Sequence, residues 1–143
     1  LQADRRKPAK LRSLVVEDEF VSRNMLLDFL SEYGRCDVAI NGSEAVGAFK
    51  EALLKDGENA YNLICMDIMM PETNGMEAAR MIRQIEHENG IPTYSEASII
   101  MITALGDPKT VINAYYNCGA TSYLVKPLNL KRLKVELEKL GMI

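Results

Sequence analysis

Several function classes are argued against by what the chain lacks. Its three cysteines, Cys36, Cys65 and Cys118, are odd in number, far apart and without metal-ligand spacing, which speaks against a disulfide framework or a zinc site. Each reads as a reduced thiol in or near the core, where free cysteine behaves as a small hydrophobe, and the chain reads as cytoplasmic. The one histidine, His87, falls on the late, polar part of a helical pattern and reads as a solvated surface residue. No apolar run approaches the roughly 20 residues needed to cross a bilayer, and no signal-peptide pattern opens the chain. There is no basic excess: 17 Lys and Arg face 20 Asp and Glu, for a net charge of −3. Neither a membrane nor a nucleic acid is therefore expected as partner. Low-complexity tracts are absent too.

What is present suits one soluble domain: 143 residues, 48% hydrophobic and 26% charged, enough for a single core. Residues 1–10 are polar and basic, with Arg5, Arg6 and Lys7, and read as a flexible arm. From Leu11 onward, short apolar runs alternate with helical spacing. Leu14-Val15-Val16 ends abruptly at Glu17-Asp18. Leu26, Phe29, Leu30 and Tyr33 then follow a helical period that Gly34 is expected to stop. Val38-Ala39-Ile40 reads as a second strand, and Asn41-Gly42-Ser43-Glu44 as a capping box opening a helix with Ala45, Ala48, Phe49, Ala52 and Leu53 on its inner stripe. Leu63-Ile64-Cys65-Met66 forms a third strand ending at Asp67. Asn74 to Glu77 caps a third helix whose inner face is Ala78, Met81, Ile82 and Ile85. Residues 86–98 read as a loop-like spacer around Asn89-Gly90 and Pro92, with part of a partner surface as the alternative.

Ile99-Ile100-Met101-Ile102 ends at Thr103. Asp107-Pro108 starts a helix, with an acceptor at N-cap and proline at N1, and its stripe is Val111, Ala114, Tyr115 and Cys118. Tyr123-Leu124-Val125 ends at Lys126-Pro127, and Leu130, Leu133, Leu137 and Leu140 mark a last helix. Five strand–helix units in succession imply an α/β fold: a parallel sheet, doubly wound, with helices on both faces. Strands covered on both faces read as continuous apolar runs, as these do.

Four of the five strands end in a functional polar group: Glu17 and Asp18, Asp67, Thr103, and Lys126. Ligands of open parallel sheets bind beyond the carboxyl ends of the strands, so these residues converge in one pocket. Any one of them is explained by a strand emerging into water. The set is not, because carboxylates about 4 Å apart repel by roughly 4 kcal/mol per pair at an effective dielectric near 20. A divalent cation resolves the conflict, and oxygen-only ligation suits Mg²⁺ rather than Zn²⁺. A carboxylate nucleophile beside a metal, a lysine and a hydroxyl fits phosphoryl transfer through an aspartyl phosphate. Met66, Met69, Met70, Met76 and Met81 surround Asp67 in sequence, but no other soft ligand joins them, so they read as packing.

These residues resemble the receiver domains of two-component response regulators, the CheY-like family. The resemblance rests on Val15-Val16-Glu17-Asp18-Glu19, Cys65-Met66-Asp67-Ile68-Met69-Met70-Pro71 with Gly75, Ile102-Thr103-Ala104, and Gly119-Ala120 followed by Tyr123-Leu124-Val125-Lys126-Pro127, in the family's order. It implies a flavodoxin-like sheet of order 2-1-3-4-5 over residues 11–143. It implies Asp67 as phosphoacceptor, Mg²⁺ held by Asp18, Asp67 and the Met69 backbone carbonyl, and Glu17 reaching the ion through water. Lys126 pairs with the phosphoryl group, before a cis bond to Pro127. Ala104 and Met69 offer backbone contacts to the phosphoryl oxygens. Thr103 and Tyr123 are the switch pair, whereas Tyr115 and Tyr116 read as ordinary packing. Apolar Met69 and Leu105 flank the site and imply slow autodephosphorylation.

The implied partners are a histidine kinase or histidine phosphotransfer domain, which carries the donor histidine, and an output protein that reads the face of the fourth helix, fifth strand and fifth helix. A homodimer through that face is a further expectation. The chain is expected to catalyse only its own phosphorylation and autodephosphorylation. With little sequence beyond the last helix, it reads as a stand-alone module or phosphorelay intermediate; a receiver excised from a hybrid histidine kinase or larger regulator is the alternative. An aspartate-nucleophile phosphatase is disfavoured because Met69 stands where such enzymes need a second aspartate. A flavin carrier is disfavoured by the acidic Glu17-Asp18-Glu19-Phe20 turn, where a phosphate cradle needs backbone donors.

Overall fold

The structure is a computed structural model that describes residues 10–57, 60–70 and 72–143. The basic arm expected at residues 1–10 lies outside the described residues except for Lys10, and so does Pro71 of the motif after Asp67. The elements run β1 (Leu11–Val16), α1 (Phe20–Ser31), β2 (Gly34–Ala39), α2 (Gly42–Asp56), β3 (Leu63–Met66), α3 (Gly75–Glu88), a 3-10 turn (Thr93–Ser95), β4 (Ser98–Thr103), α4 (Pro108–Cys118), β5 (Ser122–Val125) and α5 (Leu130–Lys139). The strands form one parallel sheet in the order β2-β1-β3-β4-β5, as expected.

Alternation along the strands divides the core into two layers. Leu14 and Val16 of β1, Ile64 and Met66 of β3, and Ile99 and Met101 of β4 join Phe49 of α2, Ile82 of α3 and Ala114 of α4 in one cluster. Their sequence neighbours Val15, Cys65, Ile100 and Ile102 point the other way, onto Leu26 and Leu30 of α1 and Leu133 and Leu137 of α5. Burial on both faces explains why β3 is apolar throughout and why β1 and β4 carry the continuous apolar runs Leu14–Val16 and Ile99–Ile102. Cys65 and Cys118 are buried and Cys36 is half-buried, all as free thiols.

Helix starts follow their capping residues. Asn41, Asn74 and Asp107 each accept the backbone N–H of the residue three positions on, which satisfies a donor the helix itself cannot. The α2 box is displaced by one residue: Glu44 accepts the N–H of Ile40 rather than that of Asn41.

Five local expectations are corrected. Gly34 does not stop α1, which ends at Ser31; Gly34 opens β2, where its N-terminal pairing with Leu11 is so close that a Cβ would lie 2.0 Å from the Leu11 carbonyl oxygen. β2 therefore starts well before the apolar Val38, because this edge strand tolerates Arg35 and Asp37. Met81 is exposed, and Met76 and Ala79 take the inner face of α3 with Ala78, Ile82 and Ile85. Tyr116 stands in solvent instead of packing.

The last correction concerns residues 86–98: residues 86–88 close α3 and Ser98 opens β4, so only residues 89–97 form the expected connection, and it is tied down. Glu86 is buried, accepts the Ala97 N–H at 2.7 Å and pairs with Arg83 at 2.7 Å. Arg83 also donates to the carbonyls of Ala97 and Gly119. Burial, which outweighs the opposing bond from Arg83, pushes the Glu86 carboxyl above its ordinary value.

Candidate functional site at the carboxyl ends of the strands

Parallel pairing extends one residue beyond three strands and fixes where the polar groups emerge. The N–H of Glu17 bonds the Ala39 carbonyl at 3.0 Å, that of Asp67 the Val16 carbonyl at 3.0 Å, and that of Lys126 the Thr103 carbonyl at 2.7 Å. The chain leaves β1 for β2 on one side and later enters β3 on the other. The crevice at that reversal, between β1 and β3, is where Asp18 and Asp67 stand.

Two glycines shape the segment after Asp67. Gly75 donates its N–H to the Ile68 carbonyl at 2.9 Å, and a Cβ there would lie 2.1 Å from the Asp67 carbonyl oxygen. Gly42 approaches the Thr73 carbonyl in the same manner, at 2.2 Å. Only residues without a side chain let α2 and α3 close this near the backbone of the site.

One oxygen from each of Glu17, Asp18 and Asp67 lies within 4.8 Å of the others. Lys126 Nζ bridges two of them, 2.6 Å from Glu17 Oε1 and 3.0 Å from Asp67 Oδ2. Asp67 Oδ1 accepts the Met69 N–H at 3.2 Å, and Glu17 Oε2 accepts the Glu19 N–H at 3.3 Å. Glu17 and Asp67 are buried while Asp18 is exposed, so the cluster opens to solvent on the Asp18 side.

Burial raises the Glu17 carboxyl above its ordinary value, and the neighbouring Asp67 charge adds to this against the opposing bond from Lys126. Burial works against the Lys126 ammonium, but its hydrogen bonds to Glu17 and Asp67 prevail and hold it above the ordinary lysine value. Three carboxylates against one ammonium leave two negative charges, the charge a divalent cation neutralises. The donors are all hard oxygens, the set that Mg²⁺ takes. The residues fit such an ion.

The remaining expected site residues lie on β4 and β5 and on the segments that follow β3 and β4. Thr103 is wholly buried at the end of β4; its Oγ1 accepts the Leu105 N–H at 3.5 Å. Among the described residues the Thr103 hydroxyl makes no hydrogen bond to Asp67 or Lys126. Tyr123 donates its hydroxyl to the Leu105 carbonyl and lies 6.5 Å from the Tyr115 ring. Leu105 is half-buried and Ala104 exposed, and Met69 is 61% exposed. The Lys126–Pro127 bond is cis. Two contributors escaped the sequence reading. Glu19 caps α1 by accepting the N–H groups of Val21 and Ser22, although glutamate is not a favoured N-cap. Arg23 turns back to the carbonyls of Glu17 and Asp18.

The family model for the response regulator receiver domain matches residues 13–138. The chain belongs to this family. It is 35% identical over 130 residues to the chemotaxis protein CheY of Bacillus subtilis (strain 168), covering 90% of this chain and 95% of that protein. It is 31% identical over 153 residues to the osmolarity two-component system protein SSK1 of Saccharomyces cerevisiae, covering 92% of this chain but 20% of that longer protein. Among solved structures, it superposes with a TM-score of 0.79 and 31% identity on a chain of the co-crystal of the S. cerevisiae phosphotransfer protein Ypd1 with the Ssk1 receiver domain, covering 92% of this chain and 89% of that one. It also superposes with a TM-score of 0.74 and 26% identity on the CheX–CheY–BeF3–Mg²⁺ complex of Borrelia burgdorferi, covering 91% and 89%. The receiver is thus a phosphoryl-accepting module of two-component signalling. No helix among its described residues is long and apolar enough to cross a membrane.

Proposed function

We propose that Asp67 is the phosphoacceptor and that a phosphohistidine on a partner kinase or phosphotransfer domain is the donor. The observation that carries this reading is the sharing of Lys126 Nζ between Asp67 and Glu17 inside a three-carboxylate cluster. An Asp67 oxygen attacks phosphorus in line, the P–N bond to the donor imidazole breaks, and the imidazole leaves with its electron pair and takes up a proton. Asp18, Asp67 and the Met69 carbonyl would hold Mg²⁺, with Glu17 contacting it through water; the ion supplies charge to the phosphoryl oxygens.

Lys126 orients Asp67 beforehand and offers its ammonium to the transferred group. The N–H groups of Met69 and Ala104 offer further donors. Thr103 turns toward the new phosphoryl group, Tyr123 follows, and the α4–β5–α5 face shifts within a pre-existing equilibrium. An output protein, or a second copy of the chain, reads that face. The chain acts on no substrate beyond its own phosphoryl group. Support for a histidine-bearing partner comes from the Ssk1 receiver, which was crystallised with Ypd1.

Acetyl phosphate with Mg²⁺ tests the assignment. Intact-mass spectrometry should show one added phosphoryl group on wild type and none on Asp67→Ala. An equal yield on both proteins, or none on wild type, contradicts it.

A further inference from the structure

Asp18 contributes one of the three carboxylates, yet its side chain makes no hydrogen bond or ion pair among the described residues. It is also exposed. Nothing packed around it fixes its direction, so its aim depends on the backbone that carries it. That backbone is held from α1. Arg23 Nη1 donates to the Asp18 carbonyl at 3.2 Å and to the Glu17 carbonyl at 3.3 Å. The guanidinium lies over the Phe20 ring, 5.7 Å from its centroid, an arrangement that cation–π attraction stabilises. The first turn is tied down independently by Glu19, whose carboxylate takes two N–H groups while its carbonyl accepts the Arg23 N–H at 3.0 Å.

We propose that Arg23 is a positioning residue for cation binding: by holding the Glu17 and Asp18 carbonyls it aims the Asp18 carboxylate into the pocket shared with Glu17 and Asp67. The inference rests on the Mg²⁺ reading above. Groups that orient metal ligands typically govern affinity by 10- to 100-fold when removed. The sign of the effect is informative. Arg23 adds positive charge near the cluster, so if it acted through charge alone its removal would tighten Mg²⁺ binding. A positioning role requires the opposite.

The experiment is calorimetric titration of the purified chain with MgCl₂, at a temperature where circular dichroism shows each protein folded. Arg23→Ala should bind Mg²⁺ roughly 10-fold or more weakly than wild type. Arg23→Met keeps an apolar stem over Phe20 but lacks the donors; it should show the same loss, and it decides the matter should Arg23→Ala not fold. Arg23→Lys, which retains donors without the planar fork, should fall between wild type and these two variants. Unchanged or tighter binding in Arg23→Met, with only a lower melting temperature, overturns the inference and leaves Arg23 as a corner staple. Absence of Mg²⁺ binding in wild type overturns the metal reading itself and the inference with it.

Discussion

Lys126 sits closer to Glu17 than to Asp67: Nζ is 2.6 Å from the Glu17 carboxylate and 3.0 Å from that of Asp67. The extra methylene of glutamate over aspartate lets the first acid of the pair reach across the pocket. The lysine is thus a counter-charge shared by both buried carboxylates, placed beside the proposed acceptor.

Removing that counter-charge should hurt the metal-free protein. Lys126→Met leaves two buried carboxylates facing each other, at a cost on the order of 2 kcal/mol, since the full several-kilocalorie penalty of a broken buried pair is reduced by partial exposure. Thermal melts in chelator should show the loss, and added Mg²⁺ should raise the melting temperature of the variant more than that of wild type. An equal Mg²⁺ shift in both would show that Lys126 and the cation do not answer the same charge.

Gly75 is required by close approach and not by its φ. A methyl there meets the Asp67 carbonyl oxygen at 2.1 Å, so Gly75→Ala must move the segment that carries the acceptor. Overpacking of this kind costs about 1–3 kcal/mol. Urea denaturation should report that loss, and phosphorylation by acetyl phosphate should slow by more than the folded fraction explains. A stable variant with wild-type kinetics would refute the clamp.

Glu86 predicts a pH dependence remote from the site. Its folded carboxyl lies above the ordinary value of 4.5, chiefly through burial. Just above pH 4.5 the native state therefore holds more protons than the unfolded chain. Its contribution to stability is full below that value and falls as pH rises through the folded pKa. Glu86→Gln retains an acceptor for the Ala97 N–H but cannot titrate. Denaturation midpoints measured from pH 4 upward should show wild type losing stability relative to the variant through this window and then running parallel to it. A constant difference from the lowest pH would contradict the assignment.

Much of this was legible in the sequence because the sheet is covered on both faces. β3 is apolar end to end, and β1 and β4 carry apolar runs, Leu14–Val16 and Ile99–Ile102, toward their carboxyl ends, so each polar residue that follows these runs marked a strand end and hence one rim of one pocket. The caps at Asn41, Asn74 and Asp107 were readable since each bonds within its own helix. β2 was misplaced because an edge strand with polar side chains carries no apolar run. Glu86 was hidden for a different reason: its burial depends on Arg83 and on the Ala97 amide of another segment. Arg23 likewise acts on carbonyls, which sequence patterns do not display.

The lifetime of the phosphorylated form should be long. Met69 and Leu105, two residues after Asp67 and Thr103, carry apolar side chains, the first largely exposed and the second half-buried. Neither can orient water. Met69→Asn with Leu105→Glu should shorten the decay after removal of the phosphodonor, by about 10-fold if one oriented water is worth roughly 1.4 kcal/mol. Unaltered decay would remove these positions from the account.

The most direct test is chemical location of the phosphoryl group. Wild type treated with acetyl phosphate and Mg²⁺, then reduced with borohydride, should yield homoserine at position 67 and nowhere else on peptide mass mapping. Reduction at position 18, or a phosphorylated chain with an intact Asp67, would contradict the central assignment.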